Sequence, residues 1–122
     1  MGKREEQKRL KSMSFKRSDC AVACALDLIG DKWTLLIVRD MFFGKRRYKE
    51  FQDSEEKIPT NILANRLEKL ENIGLITKTP YQENPVRYEY HLTQTGRSLG
   101  TVLQTIINWA DEQLPGIRRP NL

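Results

Sequence analysis

A chain of 122 residues is the size of one domain, with room for one modest core and not for two. Hydrophobic residues make up 39% and charged residues 30%, the balance of an ordinary soluble globular protein, and no apolar run approaches the ~20 residues of a membrane span. The net charge of +5 comes from residues 1–17, which hold seven Lys/Arg against two Glu, so residues 18–122 are neutral overall.

Residues 1–17 read as a basic, flexible arm, as suited to a polyanion partner as to keeping the chain soluble. The opening MGKREEQKRLKS has no apolar stretch of the kind a secretory signal needs, so the expected location is the cytoplasm. In that reducing compartment a structural disulfide between Cys20 and Cys24 is not expected.

Ser18-Asp19 supplies short acceptors for a helix start. Cys20, Ala23, Cys24, Leu26, Leu28 and Ile29 then form an apolar set that Gly30 ends. Asp31 caps a second helix, in which Trp33, Leu36, Ile37, Met41 and Phe42 recur at helical spacing and Gly44 closes the run. Arg46-Arg47-Tyr48 reads as a small strand, with Lys45 and Lys49 completing a basic cluster. Residues 49–53 form a short third helix. Pro59 separates a polar connection from a fourth helix carrying Leu63, Leu67 and Leu70 on one face, which Gly74 ends.

Leu75-Ile76 opens a strand reaching about Tyr81. Residues 82–85 form a turn, and residues 86–92 alternate as a second strand, making a β-hairpin. A last long helix begins at Thr93 or Thr95. It carries the stripe Leu99, Leu103, Ile106, Ile107, Ala110 and Leu114, and Pro115-Gly116 ends it.

Helix, helix, small strand, helix, helix, hairpin, helix is the order of a winged helix-turn-helix. The expected class is mainly α with a small β-hairpin (α+β): an arm over 1–17, the winged domain with its terminal dimerisation helix over 18–114, and a loose tail over 115–122. The fourth helix takes the recognition position, and its outward face offers Thr60, Asn61, Ala64 and Asn65 in place of the Lys/Glu mixture of a solvated helix. Asn can pair with an adenine edge, Thr can donate or accept, and Ala can touch a thymine methyl. Asn61 and Asn65 stand four apart and share a face. Helix capping would explain Thr60 or Asn61 and would not explain Asn65.

Three stretches carry a family resemblance: "ALDLIGDKWTLLIVRDMFFGKRRYKEF", "IPTNILANRLEKLENIGLITKTPY" and "VRYEYHLTQTGRSL". They span nearly the whole folded part and resemble the HxlR-type bacterial transcription regulators. The resemblance implies a homodimeric DNA-binding regulator, often of genes for detoxification or stress responses. There are departures. Ala21 stands where members often carry Pro, and Lys49 where Ser commonly opens the third helix. Cys24 has no counterpart in the pattern. In some similar proteins the Cys that begins the first helix senses oxidants or electrophiles, and Cys20 matches that position. A helix N-terminus and the preceding Lys16 and Arg17 favour its thiolate, Asp19 opposes it, and packing is the competing role.

Phosphate contacts are expected from Lys32, Thr34, Arg46, Arg47 and Arg66, and wing-tip contacts from Asn84 and Arg87. The stripe of the last helix exceeds what so small a core can use. Its expected partner is the same helix of a second chain, which would place two recognition helices about 34–36 Å apart on a pseudo-palindromic site in double-stranded DNA. The expected function is thus a sequence-specific transcription regulator, a repressor, with Cys20 as its candidate switch. A small-molecule or electrophile effector is a further candidate partner; no cofactor, metal or membrane is expected. Cys-x-x-x-Cys is not redox spacing, and the lone His91 gives too few ligands for a metal or a Cys/His nucleophile, so an enzyme is not expected. Two alternatives stay open: a winged helix for protein or RNA contacts, and a ligand-responsive regulator without a thiol switch.

Overall fold

The computed structural model describes residues 10–122. The elements are α1 (Ala21–Ile29), α2 (Thr34–Phe42), α3 (Tyr48–Gln52), α4 (Thr60–Asn72), β1 (Ile76–Glu83), β2 (Val86–Leu92), α5 (Gln94–Arg97) and α6 (Leu99–Gln113). Of the basic arm, residues 1–9 lie outside the described residues, while Leu10 and Met13 pack against the core.

The core collects one face from each of several elements. Ile37, Val38 and Met41 come from α2, Phe51 from α3, Leu63, Leu67 and Leu70 from α4, Leu75 and Ile76 from the start of the hairpin, and Leu103 from α6. The i, i+4, i+7 spacing on α4 is what lets one face bury while Asn61, Ala64 and Asn65 stay outside.

The turn from α4 into β1 is held from a distance. Gly74 takes φ +84°, a region closed to most side chains. The Gly74 carbonyl accepts from Thr93 Oγ1 at 2.8 Å, and that same oxygen accepts from the Gly96 N–H at 3.0 Å, capping α5. A Cβ on Gly96 would stand 2.0 Å from the Leu75 carbonyl oxygen. Thr93 and Gly96 therefore lock α5 against the base of the hairpin.

Several boundaries differ from the sequence reading, each for a local reason. The first helix begins at Ala21 with Cys20 as its N-cap; Ser18 Oγ accepts from the Cys20 N–H at 3.0 Å, holding the chain extended one step longer. Of the expected strand at Arg46-Arg47-Tyr48, only a single antiparallel bridge between Arg47 and Glu89 forms, because Tyr48 already enters α3. The hairpin turn is shorter than expected. Gln82 pairs with Arg87 and Glu83 with Val86, leaving Asn84-Pro85 as the whole loop, and Tyr81 is the unpaired residue of a bulge. The expected single last helix breaks at Ser98, whose hydroxyl donates to the Thr95 carbonyl at 2.5 Å; such back-bonding competes with the helical ladder.

No helix among the described residues is long and apolar enough to cross a membrane. The tail after α6 is tied down by ion pairs, Arg118 with Glu55 and Arg119 with Asp111 at 3.0 Å.

Candidate nucleic-acid interface

The N-terminus of α4 is the centre of the site. Pro59 is its N-cap, and no side chain caps the helix, so capping is not the task of Thr60 or Asn61. Thr60 is held from α3: its carbonyl accepts from Tyr48 Oη at 2.7 Å and its hydroxyl from Gln52 Nε2 at 3.3 Å. Asn61, Ala64 and Asn65 are exposed beside it. Asn65 Oδ1 accepts from Arg66 Nη1 at 2.5 Å.

Asp31 joins α2 to α4. Its carboxylate accepts from the backbone N–H groups of Trp33 and Thr34 at 3.1 Å each, from the Thr34 hydroxyl, and from Arg66 Nε at 2.8 Å. Burial alone would raise the Asp31 carboxyl. The hydrogen bonds from Thr34, Arg66 and Trp33 outweigh it and hold the group well below the usual carboxylate range.

The expected phosphate contacts divide on this geometry. Lys32 is exposed, its ammonium 5.1 Å from the Trp33 ring centre, and Asn84 and Arg87 are exposed at the wing tip. Thr34 is corrected: it is 1% exposed and its hydroxyl is committed to Asp31, because the residue that follows a capping loop turns inward with the first core turn. Arg46 is also engaged internally, with Nη1 donating to the Met41 and Lys45 carbonyls at 2.8 and 2.9 Å. Arg66 is shared between Asp31 and Asn65.

Arg47 joins α3 to the wing. Its Nε donates to Glu89 Oε2 at 3.1 Å, and its guanidinium lies 3.7 Å from the centre of the Tyr81 ring. The Glu50 carboxylate accepts from the backbone N–H groups of Arg46 and Arg47 at 2.9 Å each, and those bonds lower its pKa. Sequence reading missed Tyr48, Glu50, Tyr81 and Glu89 as supports of this surface. Only Glu50, four residues after Arg46, left a local signal.

Behind the site, Arg39 bonds Glu56 through both nitrogens, at 2.9 and 2.8 Å, and Asp40 at 2.8 Å. The Asp40 carboxylate also accepts from Ser54 Oγ and stands 3.7 Å from Lys45 Nζ. The Arg39 hydrogen bonds pull the Glu56 carboxyl down to about 2. This network ties α2 to the loop that leads into α4.

Cys20 is an exposed free thiol and Cys24 a half-buried one. The backbone N–H groups of Ala23 and Val22 lower the Cys20 pKa. Arg17, expected to help, is instead paired with Asp27 at 2.7 Å. Cys24 Sγ donates to the Ser18 carbonyl at 3.2 Å.

On α6 the expected seam divides. Leu103 is corrected to the chain's own core, at 7% exposure, and Leu99 packs against that core. Ile107 and Ala110 are half-buried, while Ile106, Trp109 (61%) and Leu114 are exposed. On α1, no residue is buried, and Val22 and Leu26 are 66% and 55% exposed.

Comparison with known proteins agrees with this architecture. The HxlR-like helix-turn-helix family matches residues 28–117. The HTH-type transcriptional regulator Rv3095 of Mycobacterium tuberculosis is 42% identical over 95 residues, which is 78% of this chain and 60% of that protein. The chain thus spans about three fifths of the length of this mycobacterial relative. The crystal structure of PA1607 superposes with a TM-score of 0.75 at 40% identity, covering 90% of this chain and 78% of that one. The redox regulator HypR in its reduced form superposes with a TM-score of 0.71 at 30% identity, covering 79% and 95%. The chain belongs to the HxlR-like helix-turn-helix family, with the winged-helix fold of its structural neighbours.

Proposed function

We propose that this HxlR-family chain is a sequence-specific, duplex-DNA-binding transcription repressor that acts as a homodimer and is switched by modification of Cys20. The observation that carries the DNA reading is the N-terminal face of α4. It presents Asn61, Ala64 and Asn65 to solvent, while Tyr48 of α3 holds Thr60 and Asp31, just before α2, holds Arg66. Lys32, exposed next to Asp31, and Arg87 on the wing supply charge for phosphates. The dimer reading is supported by the apolar residues that α1 and α6 leave exposed. The relatives are transcription regulators, which supports a role without catalysis.

The switch reading rests on an exposed thiol at a helix N-terminus, where two backbone N–H groups favour the thiolate. A similar protein, HypR, is a redox regulator. One observation favours the ligand-responsive alternative. A mostly apolar cavity between α2, α6 and the tail is lined by Leu35, Leu36, Ile106, Ile107 and Leu122, with Lys32 at its edge.

Anisotropy titration on the DNA flanking the chain's own gene, before and after diamide or a quinone, tests the proposal. Selective binding lost on treatment, and retained in Cys20→Ser, is the expected result. Selective binding indifferent to treatment retires the switch and leaves the DNA reading standing. A shallow salt dependence without duplex preference sinks the DNA reading, since each phosphate contact contributes about −0.9 to the log–log slope.

A further inference from the structure

Two neighbouring side chains on the outward face of α4 constrain what that face can read. Arg66 Nη1 donates to Asn65 Oδ1 at 2.5 Å, and Arg66 Nε donates to Asp31 Oδ2 at 2.8 Å. Asp31 is itself fixed by the backbone N–H groups of Trp33 and Thr34 at 3.1 Å each. A relay thus runs from the N-terminus of α2 to the exposed amide of Asn65.

A guanidinium carries donors and no acceptor, so the amide atom it holds is the oxygen. The Nδ2 amino group is the end left for DNA. The ordinary pairing of Asn with adenine needs the amide oxygen to accept from N6 while the nitrogen donates to N7. Here the guanidinium takes one of that oxygen's two lone pairs and sets a positive charge beside it, which opposes the approach of adenine's amino group. Guanine instead offers acceptors at both N7 and O6.

Resting on the duplex-DNA reading above, we infer that Arg66 is a positioning residue that makes Asn65 a donor-only reader, selecting guanine over adenine at one position of each half-site. Its link to Asp31 holds the guanidinium against Asn65. This replaces both the phosphate role and the adenine pairing that the sequence suggested for these two residues.

Selection of duplexes from a randomised pool by the reduced full-length chain tests the inference, with wild type, Asn65→Ala and Arg66→Met compared. The wild type is expected to enrich guanine over adenine about tenfold at one position of the half-site. Asn65→Ala is expected to lose preference at that position alone. Arg66→Met frees the amide to turn and is expected to move the preference toward adenine. Guanine retained by Asn65→Ala would overturn the inference, because Arg66 would then be reading the base itself. Adenine selected by the wild type would overturn it as well, as would an Arg66→Met pattern identical to wild type. Asn65→Ala decides alone should Arg66→Met fail to fold. A wild type that enriches no sequence defeats the DNA reading and the inference with it, whereas an enriched motif insensitive to Asn65 defeats only the inference.

Discussion

The two sides of this domain use their apolar residues differently. Around α2, α3 and α4 the apolar faces close on one another, and Phe51, Leu63 and Leu70 are fully buried. On the outward face of α4 the exposed residues are mostly polar, and Thr60 and Asn65 are held in place there. Along α1 and α6 several apolar residues point outward: Val22, Leu26, Ile106, Trp109 and Leu114 are all exposed. The first side is complete in one chain. The second leaves large apolar side chains uncovered, and the proposed homodimer rests on that exposure.

The comparison breaks most sharply at its two centres. Phe51→Ala is expected to destabilise folding by about 3–5 kcal/mol, read by chemical denaturation. Trp109→Glu is expected to leave the fold intact and to weaken self-association by about 2–4 kcal/mol, read by sedimentation across a concentration series. A Trp109→Glu chain that associates like wild type would remove α6 from the seam.

Smaller effects sharpen the closed side. Arg47 stacks on Tyr81 and pairs with Glu89, so Arg47→Ala and Glu89→Gln are both expected to speed amide exchange in the hairpin. The change is a few-fold, on the scale of one exposed cation–π contact of about 0.5–1 kcal/mol. Arg87→Ala is expected to leave exchange alone and to make the salt slope of DNA binding shallower by about 0.9. An Arg47→Ala variant behaving like Arg87→Ala would make Arg47 a phosphate contact instead of a support for the wing.

A further expected effect is in pH. Glu56 is held at about 2 when folded, below the ordinary value near 4.3 of an unfolded chain. Its stabilising contribution is complete above the unfolded pKa and is lost as pH falls from about 4.5 toward 2. Melting temperatures of Glu56→Gln should therefore fall less steeply than those of wild type over that range. Parallel curves would show that Arg39 holds the α3–α4 loop without Glu56.

Most of the architecture was legible because it follows local pattern. Leu63, Leu67 and Leu70 announce one buried face of α4, Asp31 and Gly44 bracket α2, and Gly74 marks the exit from α4. The misses share a different cause. Glu89 lies 42 residues from the arginine it holds, and no local pattern encodes that pairing. Thr34 looks like an exposed helix start until Asp31 claims its hydroxyl. Leu103 and Ile106 belong to one sequence stripe, yet the first faces the chain's own core and the second faces outward. A stripe shows which side is apolar, not where one partner gives way to the next. Arg66 shows the same limit: its charge suggested phosphate, and its pairing with Asp31, 35 residues away, could not be read from local pattern.

The most direct test of the account is the stoichiometry and salt dependence of duplex binding by the reduced chain, measured by sedimentation and anisotropy on a selected site and a scrambled one. The account predicts two chains per duplex, with selective affinity that falls along a steep log–log line as salt rises. One chain per duplex would contradict the open-side reading of α1 and α6. Equal, salt-insensitive affinity for both duplexes would contradict the reading of α4.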